Sequence, residues 1–235
     1  MRYKAVVFDL FGTLVDNFDG SRYENVLRRM ADMFGIDGQQ FWRTWTSEPY
    51  RTRRANGEYA TFEENLADVC LALGVTYDRS LIPQVIDLRM AVTRGNMTPR
   101  PDTVPTLRAL REQGLKLGLV SDCSWEVPVV WPETPMAPLV DGAIFSCTAR
   151  LKKPDPRIYR QICEKLAVQP ADCLYIGDCG SDELAGAVQS GMDAALICVP
   201  YEEQVVMCRP EAKRWTGRRV SSVAEVLELV RNGQS

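Results

Sequence analysis

Apolar positions along the chain fall into two regimes. The opening run Ala5-Val6-Val7-Phe8 is unbroken and is closed by Asp9 and a Gly12-Thr13 turn. Short apolar runs bounded by turn residues read as strands buried on both faces. From about residue 20 to residue 94 the apolar positions recur at helical spacing instead, with no strand of substance between them. Ser21-Arg22-Tyr23-Glu24 has the form of a capping box opening an amphipathic helix that runs to Met33. Further helices are predicted near 39–45, 62–73 and 80–92. From Pro101 onward strand and helix alternate. Strands are predicted at 116–120, 142–145, 174–176 and 194–197, with a short extended piece at 219–220. Helices are predicted at 103–113, after Ser124, and at 156–166, 183–190 and 223–231. Residues 131–138 hold three prolines and read as loop. Such alternation builds a parallel sheet with helices on both faces, so the fold class is α/β.

Composition narrows the function. At 235 residues and 46% hydrophobic, the chain suits one large domain or a domain with an insert. A net charge of −3 argues against a nucleic-acid surface, which shows a basic excess. The chain has no histidine, which excludes Ser-His, Cys-His and His-metal chemistry. Its eight cysteines form no Cys-x-x-Cys pair, and Cys123, Cys147, Cys173, Cys179 and Cys198 lie in or beside predicted strands. They read as small apolar residues in a reducing compartment. No signal peptide is visible, and no apolar run reaches the roughly 20 residues that span a bilayer. A cytoplasmic protein with a small anionic substrate and no membrane partner is expected, as monomer or homodimer.

Four segments place reactive side chains at strand ends or before a helix. They are Asp9, Ser121-Asp122, Lys152-Lys153-Pro154, and Gly177-Asp178-Cys179-Gly180-Ser181-Asp182. Open α/β sheets bind ligands at the carboxyl ends of their strands. Singly, each segment has an ordinary reading: Ser121 as a turn residue, the lysines as solvated, Ser181 or Asp182 as a helix cap. Pattern alone does not choose between Lys152 and Lys153.

Together and in this order, the four segments resemble the haloacid dehalogenase-like (HAD) hydrolase superfamily, subfamily I, over nearly the whole chain. The resemblance implies a Rossmann-like core at 1–16 and 95–235 with a helical C1 cap at 17–94. It implies that Asp9 is a nucleophile forming a covalent aspartyl intermediate. Ser121 would hydrogen-bond the transferred group, and Lys153, which directly precedes the proline, would neutralise charge. Asp9, the Phe11 carbonyl and Asp178 would hold Mg²⁺, with Asp182 direct or one shell removed. Gly12, Thr13 and Asp122 join as substrate-binding candidates, as does Arg43 in the cap segment Phe41-Trp42-Arg43.

One position departs from the phosphatase pattern. HAD phosphatases carry an acid two residues after the nucleophile, and here that residue is Phe11. Haloacid dehalogenases have an aromatic there, because a halide leaves without a proton. The stretch from Lys153 to Tyr159 also resembles the dehalogenases. The fourth motif does not: Asp178 beside Asp9 would raise a pKa without a cation between them. A Mg²⁺-dependent phosphatase of small phosphorylated metabolites is therefore the leading expectation. A metal-independent 2-haloacid dehalogenase and a non-catalytic phosphate-binding protein are the alternatives. The missing acid could be offset by an activated substrate such as an acyl phosphate, by Asp16 or Asp122, or by slow turnover. Phosphonoacetaldehyde hydrolases also lack that acid but need a cap lysine, and no lysine lies between Val15 and Met97. The cap does carry Arg43, Arg51, Arg53 and Arg54 near Trp42, Trp45, Tyr50 and Tyr59, which suits anionic recognition.

Overall fold

The computed structural model describes residues 2–17 and 20–232. Strand β1 (Ala5–Phe8) is buried along its whole length, as its continuous apolar run requires. Five helices follow: α1 (Gly20–Met33), α2 (Gly38–Thr46), α3 (Tyr50–Ala55), α4 (Phe62–Leu73) and α5 (Ile82–Asn96). The chain then alternates through α6 (Thr103–Glu112), β2 (Lys116–Ser121), α7 (Glu126–Val130), β3 (Gly142–Phe145), α8 (Ser146–Ala149) and α9 (Pro156–Leu166). It continues through β4 (Cys173–Gly177), α10 (Glu183–Gln189), β5 (Asp193–Ile197), α11 (Glu203–Met207), α12 (Pro210–Arg214), β6 (Arg218–Val220) and α13 (Val226–Asn232). All six strands pair in parallel, in the order β3-β2-β1-β4-β5-β6. This is the α/β architecture that the alternation predicts.

Strand residues alternate between two cores. Val6, Phe8, Leu117, Leu119 and Ile176 pack with Leu107 and Leu110 of α6 and Val226 of α13. Ala5, Val7 and Tyr175 pack on the opposite face with Ile158, Ile162 and Leu166 of α9 and Leu184 of α10. With helices on both faces, the central strands β1 and β4 meet water on neither side. Helix α9 approaches β2 so closely that a Cβ at Gly118 would come within 2.9 Å of Ile162 and 3.0 Å of Leu166.

Helices α1–α5 build a separate core around Leu27, Met30, Phe41, Trp45, Leu66 and Val85. The rings of Phe41 and Trp45 stack with centroids 5.4 Å apart. Helix α4 is capped by Thr61, whose side chain accepts from Glu64 N, while Glu64 accepts from Ala60 N at 2.7 Å. This helical layer is tied to the sheet layer by Arg89 of α5, which is ion-paired with Glu126 of α7.

The differences from expectation have simple causes. Helix α3 was not predicted because none of its residues is buried, so it carries no apolar period. Helices α11 and α12 are five residues each, too short to show one. The predicted loop at 131–138 carries one 3₁₀ turn and the start of another, each with a proline as its second residue. Of the capping-box residues, Ser21 and Glu24 both lie in α1, and Glu24 pairs with Arg28 at 2.6 Å; the residues just before Gly20 lie outside the described ones. Among the described residues, no helix is long and apolar enough to cross a membrane.

Candidate active site

Strand register brings the reactive residues to one edge. Phe8 of β1 stands beside Leu119 of β2 and Ile176 of β4. Asp9, Ser121 and Asp178 therefore emerge together at the carboxyl end of the sheet. Asp9 N donates to Ile176 O at 2.9 Å. Lys153 enters from the loop before α9, whose first turn is capped by the Asp155 carboxylate on Arg157 N. Lys153 N donates to Asp122 Oδ1 at 3.0 Å, which fixes this loop against the end of β2.

The Lys153 ammonium lies 2.5 Å from Asp9 Oδ1 and 2.6 Å from Glu183 Oε2. Tyr175 OH donates to the same Glu183 oxygen at 2.8 Å. Lys153 is only 3% exposed. Lys152 instead reaches Thr52 Oγ1 of the helical layer at 3.2 Å. Tertiary placement thus selects Lys153 of the two lysines. Ser121 is fully buried, and its Oγ has no hydrogen-bond partner among the described residues. Thr13 Oγ1 is 3.5 Å from Asp9 Oδ2. Gly12 adopts φ +78°, and a Cβ there would collide with the Asp178 carboxylate. Phe11 is half-buried beside the site.

Two expectations need correction. Asp182 is not in the acidic cluster: its side chain is 51% exposed and lies 3.9 Å from Arg214. Glu183 takes that place: Ser181 and Asp182 adopt positive φ (58° and 52°) just before α10, and Glu183, the first residue of that helix, is buried. A signal existed: Glu183, Leu184 and Ala187 are all buried and share one face of α10. Arg43 is exposed and lines neither cavity at the site. Arg51, Arg54 and, unforeseen, Arg89 do so instead. Arg209, on the link between α11 and α12, was also unforeseen, and no periodic pattern marks it. Its guanidinium contacts the Asp178 carboxylate and donates to Asp178 O at 2.7 Å and Asn17 Oδ1 at 2.8 Å.

With all three acids ionised, the charges in this cluster do not balance. Asp9, Asp178 and Glu183 offer carboxylate oxygens within 4.8 Å of one another, and all three residues are buried. Lys153 and Arg209 supply two positive charges against these three acids. Burial pushes the Asp9 carboxyl up to about 6; Lys153 pulls it down and Asp178 pushes it further up. Burial, opposed by Lys153 but aided by Asp9 and Asp178, raises Glu183 to about 8. Burial alone would lower Lys153, yet Asp9 and Glu183 hold it well above the ordinary lysine value. A hard divalent cation prefers this all-oxygen donor set and would relieve the excess negative charge. Glu183 Oε1, buried and without a partner, is a further donor. The residues present therefore fit Mg²⁺.

Two cavities open between the helical layer and the sheet layer. One of about 650 Å³ is lined by Tyr23, Arg51, Arg54, Asp122, Lys152 and Lys153. The other, about 460 Å³, is lined by Phe11, Tyr23, Arg51, Arg89, Asp122 and Arg209. Arg54 Nη1 is buried without a partner, and burial lowers its pKa.

Known proteins share this plan. The chain is 27% identical over 199 residues to an (S)-2-haloacid dehalogenase of Burkholderia cepacia, covering 83% of this chain and 82% of that protein. It is 31% identical over 201 residues to a phosphatase of Mycobacterium tuberculosis, covering 84% and 88%. It is 27% identical over 195 residues to a glyceraldehyde 3-phosphate phosphatase of Methanopyrus kandleri, covering 80% and 81%. Among solved structures, an L-2-haloacid dehalogenase of Xanthobacter autotrophicus aligns over 97% of this chain and 98% of its own, with 26% identity and a TM-score of 0.64. A HAD phosphatase of Thermococcus onnurineus shares the fold with a TM-score of 0.69 at 22% identity, over 97% of each chain. A family model, haloacid dehalogenase-like hydrolase, matches residues 3–190. With the strand-end cluster and the parallel sheet on either side of it, this match assigns the chain to the haloacid dehalogenase-like hydrolases.

Proposed function

We propose that this hydrolase is a Mg²⁺-dependent phosphatase of small phosphorylated metabolites, working through a covalent aspartyl-phosphate on Asp9. The buried trio of Asp9, Asp178 and Glu183 carries the reading. Three acids facing two cations have little reason to sit together unless a further positive charge joins them.

The residues divide the work. Asp9 Oδ attacks phosphorus. Lys153, 2.5 Å away, lets the carboxylate and the anionic phosphoryl group approach each other. Ser121 Oγ, without a partner among the described residues, donates to an oxygen of the transferred group. Glu183 and Tyr175 hold Lys153 in place. Asp9, Asp178 and Glu183, with the Phe11 carbonyl the resemblance adds, would hold Mg²⁺, which supplies electrostatic stabilisation of the phosphoryl oxygens. The helical layer over the site excludes water and selects substrate.

A metal-independent dehalogenase is the second reading. Phe11 favours it, as does Arg209, which already places a positive charge on Asp178. The deciding experiment is a panel of small phosphate esters and acyl phosphates, with Mg²⁺ or with chelator. Phosphate release that stops with chelator and in Asp9→Asn is expected. Halide release from (S)-2-chloropropionate in excess chelator, without phosphate release in Mg²⁺, overturns the proposal.

A further inference from the structure

We propose that Asp122 is the general acid–base of this site, replacing the carboxyl absent at Phe11. The inference rests on the phosphatase reading and adds the residue that moves the proton.

The two residues follow neighbouring strands and line one cavity. β1 pairs Phe8 with Leu119 of β2. Phe11 lies in the turn after β1, and Asp122 directly follows β2. The acid lost from the loop after β1 is thus offered by the loop after the neighbouring strand. Phe11 and Asp122 line the same 460 Å³ cavity. Asp122 also lines the 650 Å³ cavity, with Lys153. It is the one carboxylate common to both among the described residues. Its Oδ1 is oriented by the Lys153 N–H at 3.0 Å, so the group is held relative to the residue that contacts Asp9.

The other acids are committed elsewhere. Asp16 accepts from Tyr201 OH at 2.8 Å, is paired with Arg100 at 3.3 Å, and lines neither cavity. Asp182 lines the 650 Å³ cavity but not the one that holds Phe11, and it lies 3.9 Å from Arg214. Glu183 is fully buried under Lys153 and Tyr175 and lines neither cavity.

The proton balance is simple. In the first half-reaction the Asp9–phosphorus bond forms and the bond from phosphorus to the leaving oxygen breaks. That oxygen keeps the electron pair and takes the proton of the Asp122 carboxyl. In the second, water oxygen bonds to phosphorus, the Asp9–phosphorus bond breaks, and the Asp122 carboxylate takes the proton from water. Both carboxyls return to their starting states.

The test varies the leaving group. Asp122→Asn keeps an oxygen to accept the Lys153 N–H, so the loop is preserved. For glycerol phosphate, whose alkoxide must be protonated, kcat/KM should fall about 10²–10⁴-fold. For p-nitrophenyl phosphate, whose phenolate leaves unaided, the single-turnover burst should fall less than about tenfold. The double variant Phe11→Asp/Asp122→Asn should regain most of the lost activity on glycerol phosphate. Equal loss on both esters, no loss on either, or the selective loss appearing in Tyr23→Phe instead would overturn the assignment while leaving the phosphatase reading intact. A parent protein that releases phosphate from neither ester in Mg²⁺ would overturn both.

Discussion

The guanidinium of Arg209 rests on the buried carboxylate of Asp178, and its Nη1 also donates to the Asp178 main-chain oxygen at 2.7 Å. Asn17 holds the arginine from the other side, and Glu202 holds Asn17 through its side-chain amide at 2.9 Å. A cation contributed by the chain is thereby fixed at the carboxylate that would bind a divalent ion.

Arg209 and the metal should therefore compete. Like charges repel strongly at close range when partly buried. Arg209→Met is expected to tighten Mn²⁺ binding by about tenfold, measured by the loss of the free-ion electron paramagnetic resonance signal on titration. Unchanged or weaker binding would mean that Arg209 chiefly positions Asp178.

Stability of the chelated protein should fall as pH rises. Burial, partly opposed by Lys153, lifts Glu183 from its ordinary 4.5 to about 8, and burial lifts Asp9 from 3.8 to about 6. A raised carboxyl keeps its proton in the folded chain and loses it on unfolding. Its contribution is complete below the unfolded value and is lost as pH climbs through the folded one. Urea midpoints followed by tryptophan fluorescence should decline between pH 5 and 8, and Glu183→Gln should flatten the slope. A midpoint that climbs across that window would contradict the charge imbalance.

Arg89 and Glu126 form an ion pair between the two layers, with side chains 5% and 1% exposed. The Arg89 guanidinium also sits 5.2 Å from the centre of the Trp45 ring. Removing one partner strands the other charge. Arg89→Met should cost about 3–5 kcal/mol in thermal unfolding, and adding Glu126→Leu should recover much of it. Equal melting temperatures for the single and double variants would refute the coupling.

Gly12→Ala should impair the site more than the fold. The position has φ +78°, where an alanine costs roughly 1–2 kcal/mol. The added methyl also overlaps the Asp178 side chain, which has to move. A displacement of this kind can cost about 10²-fold in turnover. Melting and kinetics measured together check both halves.

Much of this was legible in order along the chain. Ala5–Phe8 and Cys173–Gly177 are buried on both faces, so they carry no polar alternation and read as strands. Asp9, Ser121 and Asp178 were legible as candidates because each ends such a run or follows it directly. Glu183 was not, because the left-handed conformation of Ser181 and Asp182, which decides which acid faces the site, leaves no mark in the sequence pattern. Arg43 was misplaced because a helix's apolar period does not say which polar residues face a neighbouring layer. Arg209 lies between helices too short to show any period.

By itself, the sequence determined the α/β class, the helical segment between β1 and β2, and the order of reactive groups. Those follow from local periodicity and from the chemistry of each side chain. The resemblance pointed to Lys153, which the structure sets against Asp9; only tertiary structure decided that Glu183 completes the acidic trio and that Arg209 occupies one side of it. These are contacts between residues far apart along the chain, such as Asp9 with Lys153, 144 positions away. Their energies depend on burial and on the sum of nearby charges, quantities that exist only once the layers have closed around them.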